Sequence, residues 1–198
     1  MANIEALFRD LDAVNAFWLG APDGAGAYEA RPIWFKSTPE FDAALRARFI
    51  AAHERAAAGA YDALAGTPFR ALALLVLLDQ FPRNAFRGTP RMYATDAKAL
   101  ALAEPAIALD LDRLVHHVPR VFFFTPYEHA EDKDVQRRSL TLAPRMADAP
   151  DYDRTKFYVE RHAEIVLRFG RFPHRNAILG RASTPEEIAF LEEPHSSF

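Results

Sequence analysis

Thr67-Pro-Phe-Arg-Ala-Leu-Ala-Leu-Leu-Val-Leu-Leu-Asp-Gln80, TPFRALALLVLLDQ, decides the fold. Thr67-Pro68 is a helix start, since Thr offers a capping oxygen and Pro suits the first turn. From Ala71 to Leu78 the segment is apolar nearly all round. A helix without a polar face has to be enclosed by other helices, so these residues predict the central helix of the molecule.

Helical partners flank it on both sides. Residues 4–19 place Ile4, Leu7, Phe8, Leu11, Val14, Phe17 and Trp18 on one apolar stripe. Gly20 to Lys36 reads as a surface connection anchored by Trp34-Phe35, and Ser37-Thr-Pro-Glu40 opens a second helix that stops at Gly59. Beyond the central segment, Thr89-Pro90 starts a helical stretch that Pro105 should kink or end. Thr125-Pro126 starts one running toward Met146, Tyr152 to Phe169 forms the next with Gly170 as its stop, and Ser183-Thr-Pro-Glu186 opens the last. The short patch VFFF at 121–124 has no hairpin turn beside it and does not make a strand. The reading is one all-α domain over residues 1–198, with antiparallel helices in a bundle or in a curved stack of helical pairs. The roughly 34-residue tetratricopeptide consensus itself is not found.

Composition narrows the chemistry. The chain has 198 residues, half of them hydrophobic, enough for a proper core without staples. It has no cysteine, which excludes disulfides and thiolate metal sites. The N-terminus brings in Glu5, Asp10 and Asp12 early and lacks the character of a secretion signal. The longest apolar run is far below the roughly 20 residues of a spanning helix, so a cytoplasmic protein with no membrane partner is expected. A net charge of −3 argues against general nucleic-acid binding. Walker A, GxGxxG and GxSxG sequences are absent, so no nucleotide cofactor is predicted.

Two arginine-rich turns stand out against that acidic background. Gln80-Phe-Pro-Arg-Asn-Ala-Phe-Arg-Gly88 is a shorter copy of Arg168-Phe-Gly-Arg-Phe-Pro-His-Arg-Asn-Ala-Ile-Leu-Gly-Arg181. The residue before a proline is pushed out of the α region, which makes Phe81 and Phe172 helix ends, with Asn84 and Asn176 closing the turns. A stop needs no such charge, yet Arg83, Arg87 and Arg91 accompany the first turn and Arg168, Arg171, Arg175 and Arg181 the second. One partner is internal: Asp79, at a helix C-terminus where an anion needs a compensating cation, would suit an arginine fork from the other turn, and the acidic segment 128–134 could absorb more. The other is an anionic ligand, since guanidinium forks bind carboxylate or phosphate in bidentate fashion. Both can hold together.

His129 and Asp132 would be i, i+3 neighbours on a helix, with Glu131 facing elsewhere. Adding His162 or His174 could complete a His/carboxylate set, but HExxH and other strong ligand spacings are absent and no metal is predicted. His129 is a chemically sensible general base. His116-His117 beside Pro119 is more simply a loop pair.

Leu77-Leu-Asp-Gln-Phe-Pro-Arg-Asn84, Thr125-Pro-Tyr-Glu-His-Ala-Glu-Asp132, Arg168-Phe-Gly-Arg-Phe-Pro-His-Arg-Asn176 and Leu179-Gly-Arg-Ala-Ser-Thr-Pro-Glu-Glu187 together resemble the bacterial family called domain of unknown function nine hundred and twenty-four. The resemblance runs from about Trp34 to Phe198. It implies an all-helical, tetratricopeptide-like stack of about eight helices in antiparallel pairs, and it implies no reaction. Ala130 stands where the family pattern often has Ser after the histidine, which argues against a serine nucleophile there. A Trp expected near Tyr61 to Leu64 is also absent, a matter of packing.

The expected function is binding of a small anionic molecule in a cleft lined by Arg83, Asn84, His129, Glu131, His162, Arg168, Arg171, His174, Arg175, Asn176 and Arg181. In an enzymatic variant His129, His162 or His174 supplies acid/base chemistry and the arginines stabilise developing charge. The alternative is a helical scaffold that takes a peptide or protein partner in a concave groove.

Overall fold

The central segment TPFRALALLVLLDQ does form a helix, and its end differs from expectation in an instructive way. The computed structural model describes residues 4–198, and no strand occurs among them. The chain packs as two units, residues 4–87 with Arg91–Pro126, and Gly88–Pro90 with Tyr127–Phe198.

In the first unit, helix α1 (Ile4–Leu19) and helix α2 (Pro39–Ala57) precede α3 (Pro68–Leu75). Leu72, Leu74 and Leu78 are fully buried, and α1 packs against α3. The Gly20–Lys36 connection is tied to the end of α1: Arg31 Nη1 donates to the carbonyls of Phe17 and Trp18 at 2.7 and 2.8 Å, and Trp34 Nε1 donates to that of Trp18 at 2.7 Å. Trp34 is therefore the anchor, and Phe35 stays exposed.

Phe81 does not end the helix. Residues Val76–Gln80 form a π-helical turn that leads straight into α4 (Phe81–Ala85), and Phe81 keeps helical angles (φ −51°, ψ −47°) despite preceding Pro82. The wider turn lets the Phe81 N–H reach back to the Val76 carbonyl. Pro82 has no N–H to give, so carbonyls of this turn are left for other donors. His53 Nδ1, on α2, takes that of Leu77 at 2.9 Å; the Thr95 hydroxyl takes that of Leu78; Arg83 Nη1 takes that of Asp79 at 2.6 Å. With its carbonyls partnered, the turn can stay buried and helical.

Helix α5 (Asp96–Ala108) likewise runs through Pro105, because burial of Ala103, Ala106 and Ile107 holds the segment in place. The VFFF patch is helical, with α6 (His117–Arg120) followed by a 3-10 turn that buries Phe122 and Phe123.

The boundary between units falls inside α7 (Thr125–Glu128). The helix expected to continue toward Met146 breaks after α7 and restarts as α8 (Lys133–Leu142). Asp132 causes the restart: its Oδ1 accepts from the N–H groups of Asp134 and Val135 at 2.8 and 2.9 Å, which makes it an N-cap and not a helix-interior neighbour of His129. Helix α9 (Tyr152–Phe169) ends as expected at Gly170 (φ +75°), and Phe172 is extended before Pro173. Helix α10 (Pro185–Leu191) opens with a capping box between Thr184 and Glu187, and Phe190 joins Ile165, Val166 and Phe172 in the core of this unit.

Replacing Thr95 by Val keeps the shape and leaves the Leu78 carbonyl without its hydroxyl donor. Urea unfolding should show a loss of about 1–3 kcal/mol.

Candidate functional site

The first arginine turn lies in the first unit, where its donors are already engaged. Arg83 makes a bidentate pair with Asp96 (2.8 and 2.9 Å) and approaches Asp79 Oδ1 at 3.3 Å. Asp79 is fully buried, so the cation it needs comes from its own turn, four residues on. Burial works against the Arg83 charge, but Asp79 and Asp96 outweigh it and raise its pKa. Asn84 does not close the turn through the backbone; its amide donates to Asp42 Oδ1 at 2.8 Å. Arg87 pairs with Asp42 at 3.1 Å, and Arg91 lies over the Phe86 ring, 3.9 Å from its centroid.

The second turn lies in the second unit, and its arginines form a similar lattice. Arg168 pairs with Glu186 at 3.0 Å, and Arg171 makes a bidentate pair with Glu187 at 2.7 and 2.9 Å. The Arg171 guanidinium, helped by the Thr184 N–H, holds the Glu187 carboxyl down at about 2. Arg181 grips both oxygens of Glu131, and Glu131 Oε1 also accepts the Phe172 N–H at 2.7 Å. Burial of Glu131 opposes its ionisation, yet Arg181 and that N–H keep its pKa below the usual value. Asn176 ties the loop to itself, accepting from Arg181 Nε at 3.0 Å and donating to Ser183 at 3.0 Å. Of the two closures open to Asn176, side-chain bonds to the backbone or a left-handed conformation, the second does not occur, since its backbone is right-handed helical.

Arg175 is buried, its guanidinium 4.4 Å from the Phe172 ring centroid and its charge felt by Glu131. Around Phe172 the fold gathers the three candidate histidines. The His162 ring is 5.7 Å from Phe172 and 5.8 Å from His129, and the His174 ring is 5.6 Å from Phe172. The structure thus brings His129, His162, His174 and Arg175 into one cluster, with Glu131 holding its floor through the Phe172 N–H. Glu128 is also close, its Oε2 3.8 Å from His162 Nδ1.

Protonation follows from these surroundings. Burial, and then repulsion by His129, pushes the His162 pKa well below 6.5. Its Nδ1 lies 2.7 Å from the Tyr158 carbonyl, so the neutral ring carries its proton there and leaves a lone pair on Nε2. Burial, and then Arg175, lowers His174 to about 4. The His174 ring bonds the Ser196 backbone, while its buried Nδ1 has no hydrogen-bond partner among the described residues. Two neutral imidazoles beside a guanidinium therefore hold unprotonated nitrogens at neutral pH. No group of three or more His, Asp or Glu among the described residues is placed to hold a metal ion.

The chain from Val14 to His195, residues 14–195, matches a family model that spans both arginine turns and all three histidines. The chain belongs to that family, described as a bacterial protein of unknown function (DUF924). The chain is also similar to the solved structure of a protein of unknown function from Agrobacterium tumefaciens, with 41% sequence identity and a TM-score of 0.82 over 97% of this chain and 100% of that one. No curated protein shows significant similarity. No helix among the described residues is long and apolar enough to cross a membrane.

Two residues near the cluster have no counterpart among the sequence expectations. Gln136 is fully buried, and its Nε2 donates to the carbonyls of Tyr127, Glu128 and Ala130 at 3.2, 2.8 and 2.8 Å, which sets the loop that carries His129. A polar residue four after the Asp132 cap was the available signal. Phe198 stacks on His162 with ring centroids 3.8 Å apart and an interplanar angle of 17°. Nothing in its local sequence announces that contact.

Removing the Glu131 carboxylate strands Arg181 and the Phe172 N–H together, so Glu131→Ala should lower stability by about 2–4 kcal/mol in urea unfolding. The histidines give a pH test. The folded pKa of His174 is about 4 against an ordinary 6.5, so the unfolded chain binds the extra proton between those values. Stability is therefore lost as pH falls from 6.5 toward 4, and His174→Gln should flatten that part of the profile. The Glu187 contribution, fully present above the ordinary carboxylate pKa of 4.5, should be lost progressively as pH falls from 4.5 to about 2.

Proposed function

We propose that the second unit binds a small anion at the His129, His162, His174 and Arg175 cluster, taking up a proton as it does so. The observation that carries this reading is the His174 Nδ1, buried and without a hydrogen-bond partner among the described residues, beside a buried guanidinium. A buried polar atom left in that state calls for an explanation, and a ligand is one. Burial, Arg175 and His129 oppose protonation of His174, and together they outweigh Glu131, which favours it. An anion reverses that balance, since a nearby negative charge favours imidazolium. Binding then couples to proton uptake.

The other members of the expected cleft take supporting parts in this reading. Glu131, Arg181 and Asn176 fix the Phe172 turn, and Arg168 and Arg171 fasten it to α10. Arg83 and Asn84 fall outside it, because Asp79, Asp96 and Asp42 already engage their donors. An acid/base role for the histidines would use the same proton uptake.

Sulfate suits the test because it has no titratable proton in the relevant range. Calorimetric titration should show affinity rising as pH falls from about 7 toward about 5, with net proton uptake. His174→Gln should weaken binding roughly tenfold at the lower pH and remove most of the pH dependence. Sulfate binding that is absent at every pH, or unchanged in His174→Gln, would overturn the proposal.

A further inference from the structure

The histidine cluster already holds an aromatic ring. Phe198 lies face to face with His162, and it meets Phe172 and His174 edge-on with centroids at 6.5 and 6.0 Å. The Tyr158 ring also meets it edge-on at 6.2 Å, and the residue is 44% exposed. A ring that fills a slot this way marks the shape of what the slot accepts: a flat aromatic group between an imidazole face and three ring edges.

The strap that delivers this ring is lightly held. Of residues 194–198 only Ser196 is buried. Arg161 holds the backbone at two points, Nε to the His195 carbonyl at 2.9 Å and Nη2 to the Pro194 carbonyl at 3.3 Å, and the Ser196 hydroxyl donates to the Leu191 carbonyl at 3.0 Å. His195 adopts φ +56°, a left-handed conformation that is strained for a residue with a Cβ. Lifting the strap relieves that strain and exchanges the ring contacts of Phe198, together with the edge contact of His195 on Phe157 at 5.3 Å, for those of a ligand. It also withdraws Ser196 from the His174 ring.

We propose that the slot filled by Phe198 is the ring subsite of the anion site, so that the ligand is a small aromatic anion. Its ring replaces Phe198 against His162 and Phe172, and its acid group meets His174 and Arg175. Residues 194–198 act as an internal plug that the ligand displaces. This inference rests on the anion-binding reading and adds the ligand class and the gating to it.

Benzenesulfonate, methanesulfonate and benzyl alcohol separate the contributions of ring and charge. In the full-length Phe198→Ala variant, with folding checked by thermal melting, benzenesulfonate should bind at least about tenfold more tightly than in the unsubstituted protein, while methanesulfonate changes less than about threefold. Benzyl alcohol should bind the variant at least about tenfold more weakly than benzenesulfonate. In the unsubstituted protein, saturating benzenesulfonate should raise hydrogen exchange in a peptide covering residues 192–198. Equal gains for the two sulfonates, equal binding of the alcohol, or unchanged exchange in that peptide would each overturn the ring subsite and its plug. If methanesulfonate and sulfate bind while the aromatic sulfonate gains nothing, only this inference fails; if no anion binds either protein, the anion-binding reading fails with it.

Discussion

A proline has no N–H to donate, and each Phe-Pro step therefore leaves backbone groups that must find partners elsewhere. At Phe81-Pro82 the chain stays helical by widening into a π-turn, and side chains of His53, Thr95 and Arg83 take up carbonyls. At Phe172-Pro173 the chain instead turns extended, and the Phe172 N–H goes to Glu131. Similar sequences thus reach different backbone solutions. What they share is a need for polar partners contributed by other segments.

That need explains the arginines. Asp79 is buried without a solvent-facing side and requires a cation, which Arg83 supplies from the next helical turn. Glu131, Glu186 and Glu187 each take an arginine of the second turn. Ion pairs of this kind add little where exposed, but breaking one that is buried strands the other charge. The lattice specifies the turns more than it strengthens them.

The histidines show the opposite economy. Packing His162 and His174 among aromatic rings and beside Arg175 keeps both neutral at physiological pH. The fold thereby holds unprotonated ring nitrogens next to a buried positive charge, an arrangement suited to a ligand that brings a negative charge with it.

The all-helical class was legible in the sequence because an apolar run without a polar face admits no other packing, and because Ser/Thr-Pro starts and the Gly170 stop act locally. Arg83, His129 and Arg175 were legible as residue types that cluster in two motifs and the 129 segment, and His162 as a residue type alone. Their partners were not. Whether Phe-Pro ends a helix depends on whether distant donors such as His53 and Thr95 can take the freed carbonyls, and Pro105 stays inside α5 because neighbouring residues are buried. Asp132 reads equally well as a helix-interior residue or as a cap, and only the broken path at 129–132, held by Gln136, decides between them. Sequence determined which segments are helical and where charge and imidazole accumulate, since those properties belong to short stretches. Tertiary structure alone decided which arginine meets which carboxylate, and that Phe198 lies on His162, because both rest on contacts between residues far apart in the chain.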